Sequence, residues 1–152
     1  VSQLHEVVHR LAHPLGLGGM HEVHERVIPG EHTEQSGIET GRLLLTEREE
    51  GRPLPTAVLA GNDRSAMGLL MSLTRAGVEV PRDMSVVGYD DSPLSHLMPI
   101  GLTTVRQDAG LMAEHAVRFA VERLEDPQRE PREAVVEPKL VVRGTSGPPP
   151  KR

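Results

Sequence analysis

Between Pro55 and Gln107 the sequence PTAVLAGNDRSAMGLLMSLTRAGVEVPRDMSVVGYDDSPLSHLMPIGLTTVRQ alternates short apolar runs with polar turns and a helical stretch. It reads as strand, polar turn, helix, Gly-Val turn, strand and acidic turn. Two successive strands therefore deliver polar residues to one edge of a sheet. Asn62 and Asp63 follow the first strand, and Asp90 and Asp91 follow the second. In open parallel sheets the loops beyond the carboxyl ends of the strands bind ligands, because groups there point outward and are not committed to the core.

The remaining sequence sets limits on that sheet. A length of 152 residues suits one ordinary domain, able to bury roughly 70% of its unfolded surface. Aromatics make up only 1% of the chain, so the core has to be built from Leu, Val, Ala and Met. The formal net charge of -5, with no block of Lys or Arg, argues against a nucleic-acid surface, which needs clustered cations. The absence of cysteine removes disulfide and thiolate chemistry and is compatible with a reducing cytoplasm. No apolar run approaches the roughly 20 residues of a membrane span. Val1 does not begin a basic-then-apolar signal peptide, and a start without Met implies a processed or trimmed product.

Taken in order, residues 2–13 place Leu4, Val7, Val8 and Leu11 at helical spacing, stopped by Pro14 and Gly16. Residues 23–28 alternate as a strand. Thr33 or Ser36 caps a helix carrying Ile38, Leu43, Leu44 and Leu45, whose end at Glu47, Glu49 and Glu50 reads as solvated. A strand over 56–60 leads into a helix over 64–75 that Asp63 is placed to cap. That helix carries Ala66, Met67, Leu69, Leu70, Met71 and Leu73, more than the roughly 100° apolar arc that packing on a sheet requires. The surplus predicts a second contact, with another subunit or within a thick core. Strands follow at 84–88 and 102–105, with one helical turn at 93–97 between them. A long helix spans 108–124, with Met112, Ala116, Phe119, Ala120 and Leu124 on one face. Extended chain over 134–142 precedes a tail over 144–152 that is expected to be disordered. The class is α/β, a mostly parallel sheet flanked by helices.

The runs PTAVLAGND (55–63), Ala66, Gly68, AGVEVPRDMSVVGYDD (76–91), Pro99, LTTVRQ (102–107) and LVVRGTS (140–146) fall in order at spacings that resemble the effector-binding domain of LacI/GalR-type transcription regulators. That domain shares its fold with periplasmic sugar-binding proteins. The resemblance implies a two-subdomain, type I periplasmic-binding-protein-like fold with an effector in the cleft. It implies that residues 1–143 form an incomplete effector domain, mostly its C-terminal subdomain. Residues 104–134 would belong to an N-terminal subdomain that is otherwise largely missing. It also implies a homodimer contact through Met67, Leu70, Met71, Leu94 and Leu97, a small-molecule effector such as a sugar, and control of DNA through a helix-turn-helix headpiece outside this chain.

By the same resemblance Asn62 and Asp90 match effector-contacting positions, with Asp63 and Asp91 beside them. A carboxylate accepts several hydrogen bonds and an amide both donates and accepts, which suits sugar hydroxyls or purine edges. The arginine that the family supplies from its first helix is not met near Leu4, nor is the Gly-aromatic pair near Val7-Val8. Its bidentate fork is therefore missing. In its place stands His5-Glu6-Val7-Val8-His9, a formal H-E-x-x-H match, with His13 one turn on. Such a stripe is zinc-hydrolase geometry. It is also what any solvated His-rich helix offers, and six of the eight histidines precede residue 33. Pro14 ends the helix where a zinc protease needs it continuous. No P-loop, Rossmann glycine pattern or nucleophile elbow appears. The expectation is a cytoplasmic effector-binding and dimerisation module without cofactor, metal or catalysis. A periplasmic-type sugar-binding protein and a zinc hydrolase are the alternatives.

Overall fold

The computed structural model describes residues 26–97 and 101–150. The helix expected over 2–13, with His5, His9 and His13, lies outside the described residues. So does the first half of the strand expected over 23–28, and its remainder, Arg26–Ile28, is not a strand.

Helix α1 spans Glu34–Glu49. Of the two candidate caps Thr33 is the one used: its hydroxyl accepts the Ser36 N–H at 3.2 Å. The acidic end of α1 is not idle, because Glu47 holds Arg26 at 2.7 Å and Arg52 at 2.9 Å. Strand β1 (Ala57–Leu59) leads to α2 (Asp63–Arg75). Gly77 stops α2 with φ of 72°, its N–H reaching Thr74 O and that of Val78 reaching Leu73 O. Both bonds satisfy carbonyls that the helix end leaves open.

Strand β2 (Ser85–Asp90), the single turn α3 (Leu94–Leu97), β3 (Thr103–Arg106), the long α4 (Ala109–Glu125) and β4 (Lys139–Val141) complete the order. The four-stranded sheet runs β1-β2-β3-β4. The first three strands are parallel, with Val58 opposite Val86 and Gly88 opposite Thr104, and β4 is antiparallel, with Leu140 opposite Val105.

Helix α2 lies between sheet and α1, which accounts for its broad apolar arc: the second contact is α1 of the same chain. Leu70, expected at a subunit interface, is 1% exposed and sits in the core with Leu69, Leu73, Met84, Val86 and Leu102. Small residues bring the helices close, Gly37 and Gly41 of α1 facing Ser65, Gly68 and Ser72 of α2. The Ser72 hydroxyl donates to Ile38 O at 3.1 Å.

The disordered tail was expected from residue 144, and here the structure corrects the sequence. Thr145 is fully buried. Its hydroxyl donates to Val86 O and accepts from Thr103 N–H, and its carbonyl accepts from Val86 N–H. It thereby fills the gap where β2 and β3 diverge. Ser146 and Gly147 continue the bonding, to Thr103 and Ser85. Helix α4, capped by Asp108, has no buried residue and exposes Leu111, Met112, Val117, Val121 and Leu124.

Candidate functional site

Because β1, β2 and β3 are parallel, their carboxyl ends and the start of α2 share one edge. The four residues expected there, Asn62, Asp63, Asp90 and Asp91, do meet on it. Their roles differ sharply.

Asn62, not Asp63, caps α2. Its Oδ1 accepts the Ser65 N–H at 2.9 Å while the Ser65 hydroxyl lies 3.3 Å from the Asn62 N–H, a reciprocal capping box. Its Nδ2 donates to His32 O at 3.1 Å. Asp63 turns inward and is 1% exposed. One carboxylate oxygen accepts the Ser92 N–H at 2.7 Å and the Ser92 hydroxyl at 2.9 Å, and the other accepts the Thr104 hydroxyl at 2.6 Å. A buried carboxylate has to be hydrogen-bonded in this way or its desolvation goes unrepaid. Room for it comes from Gly88, where a Cβ would collide with Asp63 Oδ1 and lie 2.9 Å from Leu102 Cδ2.

Asp91 is also enclosed, its side chain 4% exposed. Arg106 Nε lies 2.6 Å from one oxygen; Arg143 Nη2 at 2.6 Å and the Ser95 hydroxyl at 3.1 Å reach the other. Burial alone would raise its carboxyl; the hydrogen bonds from Arg143, Arg106 and Ser95 outweigh that and hold it at about 2. Asp90 is the exception. It is exposed at the end of β2 with φ of 112°, and among the described residues its Oδ1 accepts only from Gln107 Nε2, at 3.0 Å.

Four further residues belong to this edge and had no role assigned from sequence: Gln107, Arg106, Arg143 and His32. Gln107, Arg106 and Arg143 fall inside the runs LTTVRQ and LVVRGTS, so the signal was present. What was missing was knowledge of which carboxylate each would meet. His32 is exposed, and its ring lies 2.9 Å from where a Cβ on Gly61 would stand. The edge thus presents a carboxylate, a carboxamide and an imidazole outward over a closed polar layer. It can hydrogen-bond a polar ligand. Among the described residues no three His, Cys, Asp or Glu gather as metal ligands, and no helix is long and apolar enough to cross a membrane.

The family model of the periplasmic binding protein-like domain matches residues 9–146. The HTH-type transcriptional repressor PurR of Yersinia enterocolitica is 33% identical over 119 residues, 78% of this chain and 34% of that protein. PurR of Vibrio parahaemolyticus is 37% identical over 91 residues, 60% of this chain and 27% of that protein. A LacI transcriptional regulator from a Rhodococcus species superposes with a TM-score of 0.73 at 43% identity, over 82% of this chain and 44% of the other. The transcriptional regulator CelR in complex with cellobiose gives 0.74 at 32% identity, over 89% and 40%. A LacI family regulator from Enterococcus faecium with bound ribose gives 0.70 at 27%, over 79% and 42%. The chain spans about a third, or less, of the length of these curated relatives.

Proposed function

Because the chain belongs to the periplasmic binding protein-like family, with LacI-type transcriptional regulators as its relatives, we propose that it is the C-terminal part of a regulator's effector-binding domain. It supplies one wall of a cleft and a dimerisation face. The observation that carries this reading is the pairing of an exposed, left-handed Asp90 with Gln107 on a strand edge whose other acidic groups are already satisfied. An exposed carboxylate beside a carboxamide matches vicinal hydroxyls, so the effector is a small polyol, a sugar in the first instance. Ribose and cellobiose in the relatives support that class.

A pocket has to bury most of a small ligand, and a chain that spans about a third of its relatives' length supplies one wall of it. Residues 104–134, which include α4, are proposed as the part that crosses to an N-terminal subdomain. Closing the two walls on the effector would shift the DNA affinity of a headpiece, by no more than the effector's differential affinity for open and closed states. Met67, Met71, Leu94 and Leu97 remain as the self-complementary dimer face, with Leu70 withdrawn into the core.

Calorimetric titration with a panel of sugars and purines tests the proposal, using the 152-residue chain and any longer protein that its gene encodes. The expected result is binding by the longer form that Asp90→Ala abolishes, with the short chain at least a hundredfold weaker. Tight binding by the short chain would refute the half-cleft reading. Binding unaffected by Asp90→Ala would refute the site.

A further inference from the structure

Resting on the reading that Asp90 faces a ligand, we propose that Asp91 is the positioning residue of that edge. Clamped between Arg106 and Arg143, its carboxylate holds the left-handed turn that directs Asp90 outward.

Asp90 and Asp91 have φ of 112° and 52°. Side-chain-bearing residues rarely occupy this region, Asp and Asn being the more tolerant, and such a conformation persists where its surroundings impose it. Asp90 has little to impose it: its side chain is exposed and has one partner among the described residues. Asp91 is fixed at every polar atom of its side chain and through its N–H, which donates to Thr104 Oγ1 at 3.3 Å. That same hydroxyl donates to buried Asp63, so the turn is tied into the closed layer beneath it.

One arm of the clamp is itself held by further bonds. Arg143, its side chain 16% exposed, also donates to Leu102 O at 2.8 Å and to the Ser95 hydroxyl at 3.2 Å. Arg106 stands opposite Asp90 in the β2–β3 register and opposite Lys139 in β3–β4. One carboxylate therefore joins the end of β2, the end of β3 and the segment after β4. Gln107, the partner of Asp90, is the residue next to Arg106, so the clamp sets both halves of the outward-facing pair.

A purely stabilising ion pair and a positioning one differ in what its removal does to Asp90. The test is nuclear magnetic resonance on the 152-residue chain, comparing Asp91→Ala with Asp91→Gly. Glycine takes the left-handed conformation without a clamp; alanine does not. In Asp91→Ala the amides of residues 90–92 are expected to exchange at least tenfold faster relative to Leu69 and Val86 of the same molecule. The Gln107 carboxamide signals should also move to solvent-exposed values. Asp91→Gly should recover most of the Asp90 backbone signature although it lacks the ion pairs as fully as alanine does. If Asp90 and Gln107 keep their signals in Asp91→Ala while only overall stability falls, or if Gly and Ala behave alike, the proposal is wrong. Should Asp91→Ala not fold, Arg106→Gln removes one arm of the clamp, and unchanged Asp90 signals there overturn it equally. Ribose, glucose and cellobiose titrated into any longer protein that the gene encodes test the ligand reading separately: binding there that Asp90→Ala leaves unchanged counts against that reading, while the Asp91 variants alone decide the positioning.

Discussion

Gly68→Ala makes the crossing of α1 and α2 measurable, because two effects of opposite sign compete there. Inside an ordinary helix the change stabilises by roughly 0.5–1 kcal/mol, since glycine loses more backbone freedom on folding. At Gly68 the new Cβ would lie 2.9 Å from Glu34 C and from Ile38 N, and closer still to the Glu34 oxygen. Carbon contacts normally settle at about 3.5–4.0 Å, so the helices must separate by about 1 Å. The obstacles are backbone atoms, so no change of rotamer relieves them. Gly37 faces the same situation from the other side, 2.8 Å from Ser65 C and 2.9 Å from Leu69 N.

Separation loosens Leu44 against Leu69 and stretches the Ser72–Ile38 bond, now 3.1 Å. Overpacking costs about 1–3 kcal/mol, and a weakened hydrogen bond adds up to about 1 kcal/mol. After the helix-propensity gain the expected loss is about 2 kcal/mol, a large part of the roughly 5–15 kcal/mol that holds a domain folded. Urea denaturation followed by circular dichroism measures it, there being no Trp for fluorescence. Gly110→Ala on exposed α4 is the control: its Cβ would meet nothing nearer than Asp108 Oδ1 at 3.5 Å. It should be neutral or stabilise by up to about 1 kcal/mol. A Gly68→Ala protein as stable as the unaltered chain would refute the close crossing.

Asp91 makes stability depend on acid. Its folded value, about 2, lies below the ordinary 3.8, so its contribution is complete above the ordinary value and is lost as pH falls through the folded one. The shift corresponds to about 2 kcal/mol. The stability gap between the unaltered chain and Asp91→Asn should accordingly be at least that large at neutral pH and close as the pH approaches the folded value; a gap independent of pH would exclude the ion pair. On the proposed dimer face, Leu97→Glu, at a position 74% exposed, should turn the dimer that the proposal requires into a monomer in sedimentation without lowering urea stability by more than about 0.5 kcal/mol; an unaltered chain that sediments as a monomer would refute that face. Leu70→Glu, in contrast, should unfold the chain. On α4, Val121→Lys with Leu124→Lys should reduce concentration-dependent aggregation and dye binding by exposed apolar surface, again at little cost in stability; undiminished aggregation would place the sticky surface elsewhere.

The strand and helix pattern was legible because it rests on local physics. The cap at Thr33, one of two candidates, and the stop at Gly77 follow from residue type and spacing, and the parallel order of β1 to β3 follows from the helices and turns between them. The breadth of α2's apolar arc was visible too, but its meaning was not. Periodicity reports that a face is covered, and not by what. Helix α1 covers it through Gly37 and Gly41, residues that carry no apolar signal of their own and act by what they lack. The misread tail has a similar cause. SGPPP looks like punctuation, and only the gap between Val86 and Thr103, formed by segments far away in sequence, gives the polar Thr145 a buried place.

At the site the limit is sharper still. Four acidic or amide residues in two adjacent pairs look equivalent in sequence, since each follows a strand and each can accept hydrogen bonds. Which of them stays free is decided by partners 15 to 52 residues away. Asp63 is taken by Ser92 and Thr104, 29 and 41 residues on, and Asp91 by Arg106 and Arg143, 15 and 52 residues on. Asn62 is taken locally by Ser65. A carboxylate that is already satisfied gains little by exchanging its partners for a ligand's hydroxyls, because the exchange leaves a buried hydroxyl or guanidinium unpaired. Among the described residues Asp90 has one exposed contact to exchange, to Gln107. Substitution should separate the two classes: Asp90→Ala should weaken sugar binding while leaving urea stability within about 0.5 kcal/mol, whereas Asp63→Ala should cost about 3 kcal/mol or more of stability whether or not ligand is present. An Asp63→Ala protein of normal stability would mean that the closed layer beneath the edge is not formed.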